Sequence, residues 1–429
     1  MMPTQTKPFT ITDKQYEALA LFNSEARHIL LYGGARSAKT FVILMHIIGR
    51  AVAEPSRHLI LRQHFNHVKT SIWMDTLPKV FNLACRSKDG DVIPFYKNDS
   101  DFYLRFDNGS EIWIGGLDEK ERTEKILGTE YSSIFFNECS QLTYGSIETA
   151  RSRLAEKTRL INQCYYDQNT PHKQHWSHRQ FIEKVDPVEK TPMVNPERYA
   201  SLLMNPKDNL ENIGDEYMQE LNAMSKRKRD RFMLGLWQDN DDRALWKYDD
   251  ILRANLTFEE IMGMMDRIVV AIDPPKYHEA NSDECGIGVA GKCGNRLYVL
   301  EDLSGRYSPK GWGNKAVNAY FRWRADRVIG EQNNGGEMVE NTVRQVNENV
   351  SYKQVTATRG KVKRAEPVAA LYEQHRGYHV GSFYELEDQM TTPLDELEHD
   401  DRVDWLIWAA TELMIDVEEG GRVTVIDDW

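Results

Sequence analysis

The stretch Leu30–Phe41, LLYGGARSAKTF, decides how the first half of the chain is read. It follows the phosphate-loop pattern G-x-x-x-x-G-K-[ST] with one part exchanged. Gly33 opens it, Lys39 and Thr40 close it, and Ala38 stands where the second glycine belongs. In such a loop, successive backbone N–H groups and a helix N-terminus surround phosphate oxygens. Gly33, Gly34, Ala35, Arg36, Ser37 and Ala38 are therefore candidate nucleotide contacts. Lys39 would neutralise β/γ charge and the Thr40 hydroxyl would ligate Mg²⁺. Alanine at 38 is tolerated if its φ is negative and strained if its φ is positive. Taken alone, the stretch fits a glycine-rich strand-to-helix turn as well as it fits a nucleotide site.

The flanks have the required character. RHILLYGG is a short apolar run before the loop, and KTFVILMHIIGRAVA after it has apolar positions at helical spacing. RHLILRQ, EIWIGGL and YSSIFFNE are further strand-like runs, and the alternation predicts a mainly parallel sheet with crossover helices. Upstream, Gln15 in ITDKQYEAL can read an adenine edge, or be a surface glutamine on a helix. Downstream, SSIFFNECS is a strand ending in Asn137-Glu138. In a Walker B element the first acid supports the Mg²⁺ shell and the second polarises the attacking water. Asn137 replaces the first acid, and its carbonyl oxygen can still orient a metal-bound water; Glu138 keeps the general-base role. CYYDQNTPHKQHW supplies another strand ending in Gln168-Asn169-Thr170, placed to sense a γ-phosphate. Arg36, Arg122 and Lys125 are the candidates for a trans-acting cation.

The 429 residues allow two or three domains, and the 41% hydrophobic and 10% aromatic fractions are those of a globular protein. No apolar run reaches about 18 residues, so no membrane span is expected. The N-terminal MMPTQTKPFT lacks the pattern of a secretory signal. The five cysteines are scattered without a C-x-x-C, which argues for a reducing compartment and against structural zinc. A net charge of −12 disfavours a protein that coats nucleic acid, but not an enzyme that touches it through local basic patches.

The character changes between about residues 205 and 243, where DEYMQELNAMSKRKRDRFMLGLW is helical and charged. The expected domains are 1–243, with this helical linker part, and 244–429. The second begins again with strands, DRIVVAID and then CGIGVAGKCGNRLYVLEDLS, with turns expected at Gly291 and Gly294-Asn295. Acids end several of its strands: Asp273, Asp302 and Glu331. HDDRVDWLIWAA opens a helix with Asp401 and Asp404, three apart and so on one face. An all-oxygen carboxylate set suits Mg²⁺ or Mn²⁺, and two such metals can drive phosphodiester hydrolysis. Singly, each of these acids is an ordinary cap or solvated end.

The order of GGARSAKT, LILRQ with Arg62, KILGTEYSSIFFNEC, QNTPHKQHW and the segment ending GLW resembles the large subunit of the tailed-bacteriophage terminases, nearly end to end. The resemblance implies an α/β chain: a P-loop (RecA/ASCE-like), mainly parallel sheet domain followed by an RNase H-like mixed-sheet nuclease domain. It implies Asp273, Glu331 and Asp404 as main metal ligands with Asp401 beside them, and Asp302 and Asp283 in second rank. Lys361, in RGKVKRAEP with Lys363 and Arg364, resembles a family lysine near the cleavage site. The implied cofactors are ATP and Mg²⁺, with Mn²⁺ possible in the nuclease site. The implied partners are double-stranded DNA, a terminase small subunit and the portal protein of the procapsid, on which such motors form rings, although they are often monomeric in solution. The implied place is the cytoplasm of an infected bacterial host. Ala38 and Asn137 depart from the family pattern and are expected to be tolerated. Two other readings stay open on sequence: an ATPase–nuclease of DNA repair or recombination, and a nucleotide-switched scaffold.

Overall fold

The computed structural model describes residues 10–86, 91–117, 128–224, 226–274, 284–331, 337–357, 360–397, 400–417 and 423–425. Arg122, Lys125 and Asp283 lie outside them. The chain divides into two compact units, Met1–Asp239 and Asn240–Trp429.

The first unit is built on one sheet of β1 (His28–Gly33), β2 (Arg57–Arg62), β3 (Tyr96–Asn98), β4 (Tyr103–Arg105), β5 (Glu111–Gly116), β6 (Ser133–Phe136), β7 (Gln163–Asn169) and β8 (Tyr199–Leu203). Their order is β3-β4-β5-β2-β6-β7-β1-β8. From β5 to β8 every pairing is parallel, while β3 and β4 add an antiparallel edge. Parallel strands covered on both faces have no solvent side, which is why these runs are apolar throughout rather than alternating. On one face α1 (Asp13–Phe22) and α2 (Lys39–Ala53) pack against Ile29, Leu31, Ile60, Phe135 and Tyr165. The other face carries Leu30, Leu59, Phe136 and Tyr166, covered by Ile147, Trp176 and Phe181. β7 stands between β1 and β6, so the loop strand and the strand leading to Glu138 are not neighbours.

The second unit holds β9 (Leu252–Arg253), β10 (Arg267–Asp273), β11 (Gly286–Cys293), β12 (Arg296–Asp302), β13 (Arg327–Glu331), β14 (Tyr352–Val355) and β15 (Gly377–His379). Their order is β14-β13-β10-β11-β12-β15-β9. β10, β11 and β12 form an antiparallel meander, and β13 then joins β10 in parallel, so the sheet is mixed. α3 (Pro309–Arg322) and α4 (Glu337–Val346) cover one face through Trp312, Val317, Val339 and Val343. α5 (Lys361–Glu373) and α6 (Asp401–Met414) cover the other through Val368, Leu371, Trp405 and Leu406.

The sequence pattern expected a turn at Gly291, but Gly291 pairs inside β11 and the turn lies at Gly294-Asn295 alone. A Cβ at 291 would stand 2.7 Å from the Met265 sulfur, so the glycine serves close packing rather than chain reversal. The same device seats α6. A Cβ at Gly288 would fall 2.2 Å from the Trp405 ring, and one at Gly286 would fall 2.1 Å from the Asp401 carbonyl oxygen. Two glycines on β11 thus let the start of α6 lie directly over the sheet, beside the end of β10. Among the described residues no helix is long and apolar enough to cross a membrane.

Candidate active sites

The loop of the first unit leaves β1 through Gly33, at φ 133°, and enters α2 through Ala38. A Cβ at Gly33 would stand 2.3 Å from the Met204 carbonyl oxygen, so only glycine fits there. Ala38 has φ 64°, ψ 20°, the left-handed region. Of the two outcomes open for that alanine, the strained one holds, at a cost of roughly 1–2 kcal/mol. Arg36 (φ 51°) and Glu138 (φ 50°) share that conformation. Local backbone strain of this kind clusters at ligand clamps and active sites.

The loop's own groups are mostly engaged. The Gly34 N–H donates to Asn205 Oδ1 (2.9 Å) and the Ala35 N–H to the Phe232 carbonyl (2.9 Å). The Ser37 hydroxyl donates to the Gly34 carbonyl (3.0 Å). Lys39 is buried and folded back, donating to the carbonyls of Gly33 (3.4 Å) and Gly34 (2.5 Å) and to Ser37 Oγ (3.0 Å). Burial pulls its ammonium down to about 8, against the opposing pull of Glu138 and Asp167. A buried cation at a helix start that has no side-chain cap is the donor set a polyphosphate fits. Arg36 is exposed and stacks on Tyr217, 5.4 Å from the ring centre.

Gln15 is 1% exposed rather than a surface residue. Its Oε1 accepts the Thr12 N–H (2.9 Å) in a capping box, while its Nε2 is buried with no hydrogen-bond partner among the described residues. A buried unsatisfied donor costs about 1–3 kcal/mol, so this amide suits a ligand acceptor.

Asn137 and Glu138 follow β6 directly, and they meet a residue that the sequence pattern did not single out. Asp167, on β7, is 2% exposed and accepts hydrogen bonds from three sources. The Thr40 hydroxyl donates to its Oδ2. Asn137 Nδ2 reaches both of its oxygens (2.9 and 3.1 Å), and the Glu138 N–H donates to its Oδ1 (2.7 Å). Burial, with the Glu138 charge adding to it, pushes Asp167 up to about 6. The Asn137 carbonyl oxygen, expected to face a metal-bound water, instead accepts from Arg62 Nη1 (3.4 Å). Gln168 points to the opposite face, where its amide is spent on Cys139 (3.2 Å) and Ser177 (2.9 Å). It does not face the loop as a phosphate sensor would. Thr170 Oγ1 is buried without a hydrogen-bond partner among the described residues.

In the second unit the predicted acids come together. Asp273 ends β10, Glu331 ends the adjacent β13, and Asp401 and Asp404 open α6; all four are buried, at 3%, 7%, 7% and 6% exposure. Asp273 is held well above the ordinary aspartate range by burial first, then by the charges of Asp404, Glu331 and Asp401, and it shares a hydrogen bond with Glu331. Burial likewise raises Asp404, against the pull of Lys361. Lys361 opens α5, and it bridges Asp404 (2.7 Å) and Asp400. Trp408 Nε1 donates to Glu331 Oε2 (3.2 Å), and the Arg364 guanidinium lies over the Trp408 ring at 4.5 Å. Lys363 is exposed.

Among the described residues no three His, Cys, Asp or Glu side chains are arranged to grip one ion as they stand. Asp273 instead shares a hydrogen bond with Glu331, and Asp404 pairs with Lys361. The donor set nevertheless fits a hard divalent cation. Four buried carboxylates carry a charge that burial penalises, and Asp404 Oδ1 is buried with no hydrogen-bond partner among the described residues. Asp302, a second-rank candidate, is engaged elsewhere. It takes Arg402 Nη1 on Oδ2 (2.6 Å) and the Ser304 hydroxyl on Oδ1 (2.6 Å).

Two family models match the chain. The model described as phage terminase large subunit matches residues 25–235, and the one described as terminase RNaseH-like domain matches residues 270–413. No curated protein matches. Among solved structures the chain is similar to the large terminase of a thermophilic bacteriophage (13% identity, TM-score 0.48, covering 94% of this chain and 99% of that one). It is also similar to the large terminase of bacteriophage HK97 (9% identity, TM-score 0.42, 95% and 96% covered). The human cytomegalovirus terminase nuclease domain, soaked with Mn and inhibitor-bound, is similar over a shorter span (13% identity, TM-score 0.32, 42% and 100% covered).

Proposed function

We propose, from the premise that the chain belongs to the phage terminase large subunits, that it drives double-stranded DNA with ATP hydrolysis in its first unit and cuts DNA with divalent metal ions in its second. The observation that carries this reading is the pairing, in one chain, of a buried loop lysine with a buried four-carboxylate cluster.

In the first unit Lys39 leaves the Gly33 and Gly34 carbonyls to meet β- and γ-phosphate oxygens, while the α2 N-terminus receives the remaining phosphate charge. Gln15 offers Nε2 to the base. Glu138, held at the end of β6, orients and deprotonates the attacking water. Thr40 presents its hydroxyl to Mg²⁺, which when bound neutralises charge on the phosphates.

In the second unit Asp273, Glu331, Asp401 and Asp404 would hold Mg²⁺ or Mn²⁺, which when bound supplies an activated water and stabilises the leaving oxygen. Lys361, released from Asp404, contacts the scissile phosphate. Arg364 has buried Nε and Nη1 donors without hydrogen-bond partners among the described residues, and these suit phosphate oxygens beside the cut. The partners that follow are a terminase small subunit and the procapsid portal, on which the chain forms a ring, in the cytoplasm of an infected bacterium.

The test is phosphate release from ATP and nicking of supercoiled plasmid by the purified chain, in Mg²⁺, Mn²⁺ and EDTA. Both activities are expected with metal and neither in EDTA. Intact plasmid in both metals would remove the nuclease half of the reading. ATP left unhydrolysed in Mg²⁺, with and without DNA, would remove the motor half.

A further inference from the structure

A nucleotide site of this kind needs a carboxylate beside the loop threonine to support the Mg²⁺ shell. Position 137 holds an amide, and Glu138 is assigned to water. We propose that Asp167 is the missing acid, delivered from the neighbouring strand β7 rather than from the end of β6. The inference rests on the reading of the first unit as a nucleotide site.

The sheet register brings the three parts together. Phe136 pairs with Tyr166, which sets Asn137 alongside Asp167, and Leu31 pairs with Asp167 on the other side. Asp167 therefore lies between the Asn137-Glu138 corner and the strand that leads into the loop. Its side chain follows Tyr165 on the face covered by α2, and the Thr40 hydroxyl donates to it. The hydroxyl that would ligate the metal thus already touches this carboxylate.

Asn137 then has a defined part. Its amide is oriented by two contacts: the oxygen accepts from Arg62 and the nitrogen donates to both Asp167 oxygens. An aspartate at 137 would set a second carboxylate about 3 Å from a buried one, where like charges cannot both ionise without cost. The pair Asn137/Asp167 keeps one carboxylate, moved one strand along the sheet, and the amide positions it. On this account Asn137 does not mark a lost activity.

The experiment measures affinity for a fluorescent ATP analogue, in Mg²⁺ and in EDTA, on the full chain. The variants are Asp167→Asn, Asn137→Asp, the double Asn137→Asp/Asp167→Asn, and Lys39→Ala. Wild type should bind more tightly in Mg²⁺ than in EDTA. Asp167→Asn should lose that metal-dependent gain, by about tenfold or more, with its EDTA affinity within about twofold of wild type. The double variant should recover much of the gain, because it restores one carboxylate and one amide to the pair. It also carries the test if the single variant fails to fold. Asp167→Asn with an unchanged Mg²⁺ gain would overturn the inference, as would equal losses in Mg²⁺ and EDTA, the mark of a purely structural acid. Failure of the underlying reading is distinct: Lys39→Ala would then bind the analogue as wild type does, in both conditions.

Discussion

In the first unit one buried lysine lies among loop carbonyls with two acids drawing on it, whereas in the second four buried carboxylates are answered chiefly by one lysine. The first centre is close to balanced. Lys39, Glu138 and Asp167 offset one another, and almost every loop group has a partner within the unit. Its tension is conformational, with Arg36, Ala38 and Glu138 all in left-handed backbone. The second centre reverses this. Its acids sit on strand ends and a helix start held by close packing, and its tension is electrostatic. A loop under backbone strain suits a site that must rearrange around nucleotide. A stiff, overcharged cluster suits one that recruits cations.

The sharpest break of this comparison comes from Glu138→Gln. If Glu138 acts on water while the loop holds phosphate, the variant should hydrolyse ATP about 10²–10⁴-fold more slowly and still bind it. Unchanged turnover would move the base elsewhere.

Stability against pH tests the buried acids of both centres next. Asp273 and Asp404 are raised above the ordinary aspartate value of 3.8, so between that value and their folded value the native chain keeps protons that the unfolded chain releases. The stability tied to those protons is full below the unfolded value and is lost as pH rises through the folded one. Asp167 has the same sign, with its loss running from the ordinary value of 3.8 up to about 6. In EDTA the melting temperature should therefore fall as pH rises over this range. Metal that replaces the protons should raise the stability by about 2.7 kcal/mol at roughly 100 times its dissociation constant. The increment should grow with pH. Melting curves in EDTA that rise with pH instead would contradict the overcharged description of the second unit.

The smallest effect concerns strain. Ala38→Gly relieves a left-handed alanine and should stabilise the first unit by up to about 1 kcal/mol, or roughly 2–4 °C. ATP turnover should change only modestly. A lower melting temperature would show that position 38 carries no strain to relieve.

What was legible in the sequence was what is contiguous or repeats at a fixed period. Gly33, Lys39 and Thr40 lie within one turn of chain, and Asp401 and Asp404 lie one helical turn apart, so both were visible before any fold. Asp273 and Glu331 were visible because each ends an apolar run, and the parallel pairing of β10 with β13 brings the two ends together. Asp167 was not visible. It lies inside QCYYDQN, where a strand pattern says which residues alternate but not which strand stands alongside. The one signal was the gap it fills, since an asparagine at 137 asks where the acid went. The same blindness to neighbours misdirected Gln168, whose face depends on sheet alternation, and Gly291, whose role depends on Met265 across the packing. The left-handed turn at Ala38 is set by the loop as a whole and had no local mark beyond the missing glycine.

The central claim is that the chain carries two sites with separate chemistries, and one paired measurement tests it directly. ATP turnover and plasmid nicking in Mg²⁺ are measured on the same folded preparations of Lys39→Ala and Asp273→Asn. The account predicts reciprocal loss: Lys39→Ala without ATP turnover but with nicking largely intact, and Asp273→Asn without nicking, by about a hundredfold or more, but with ATP turnover retained. Loss of both activities in either folded variant would contradict it and point to one composite site.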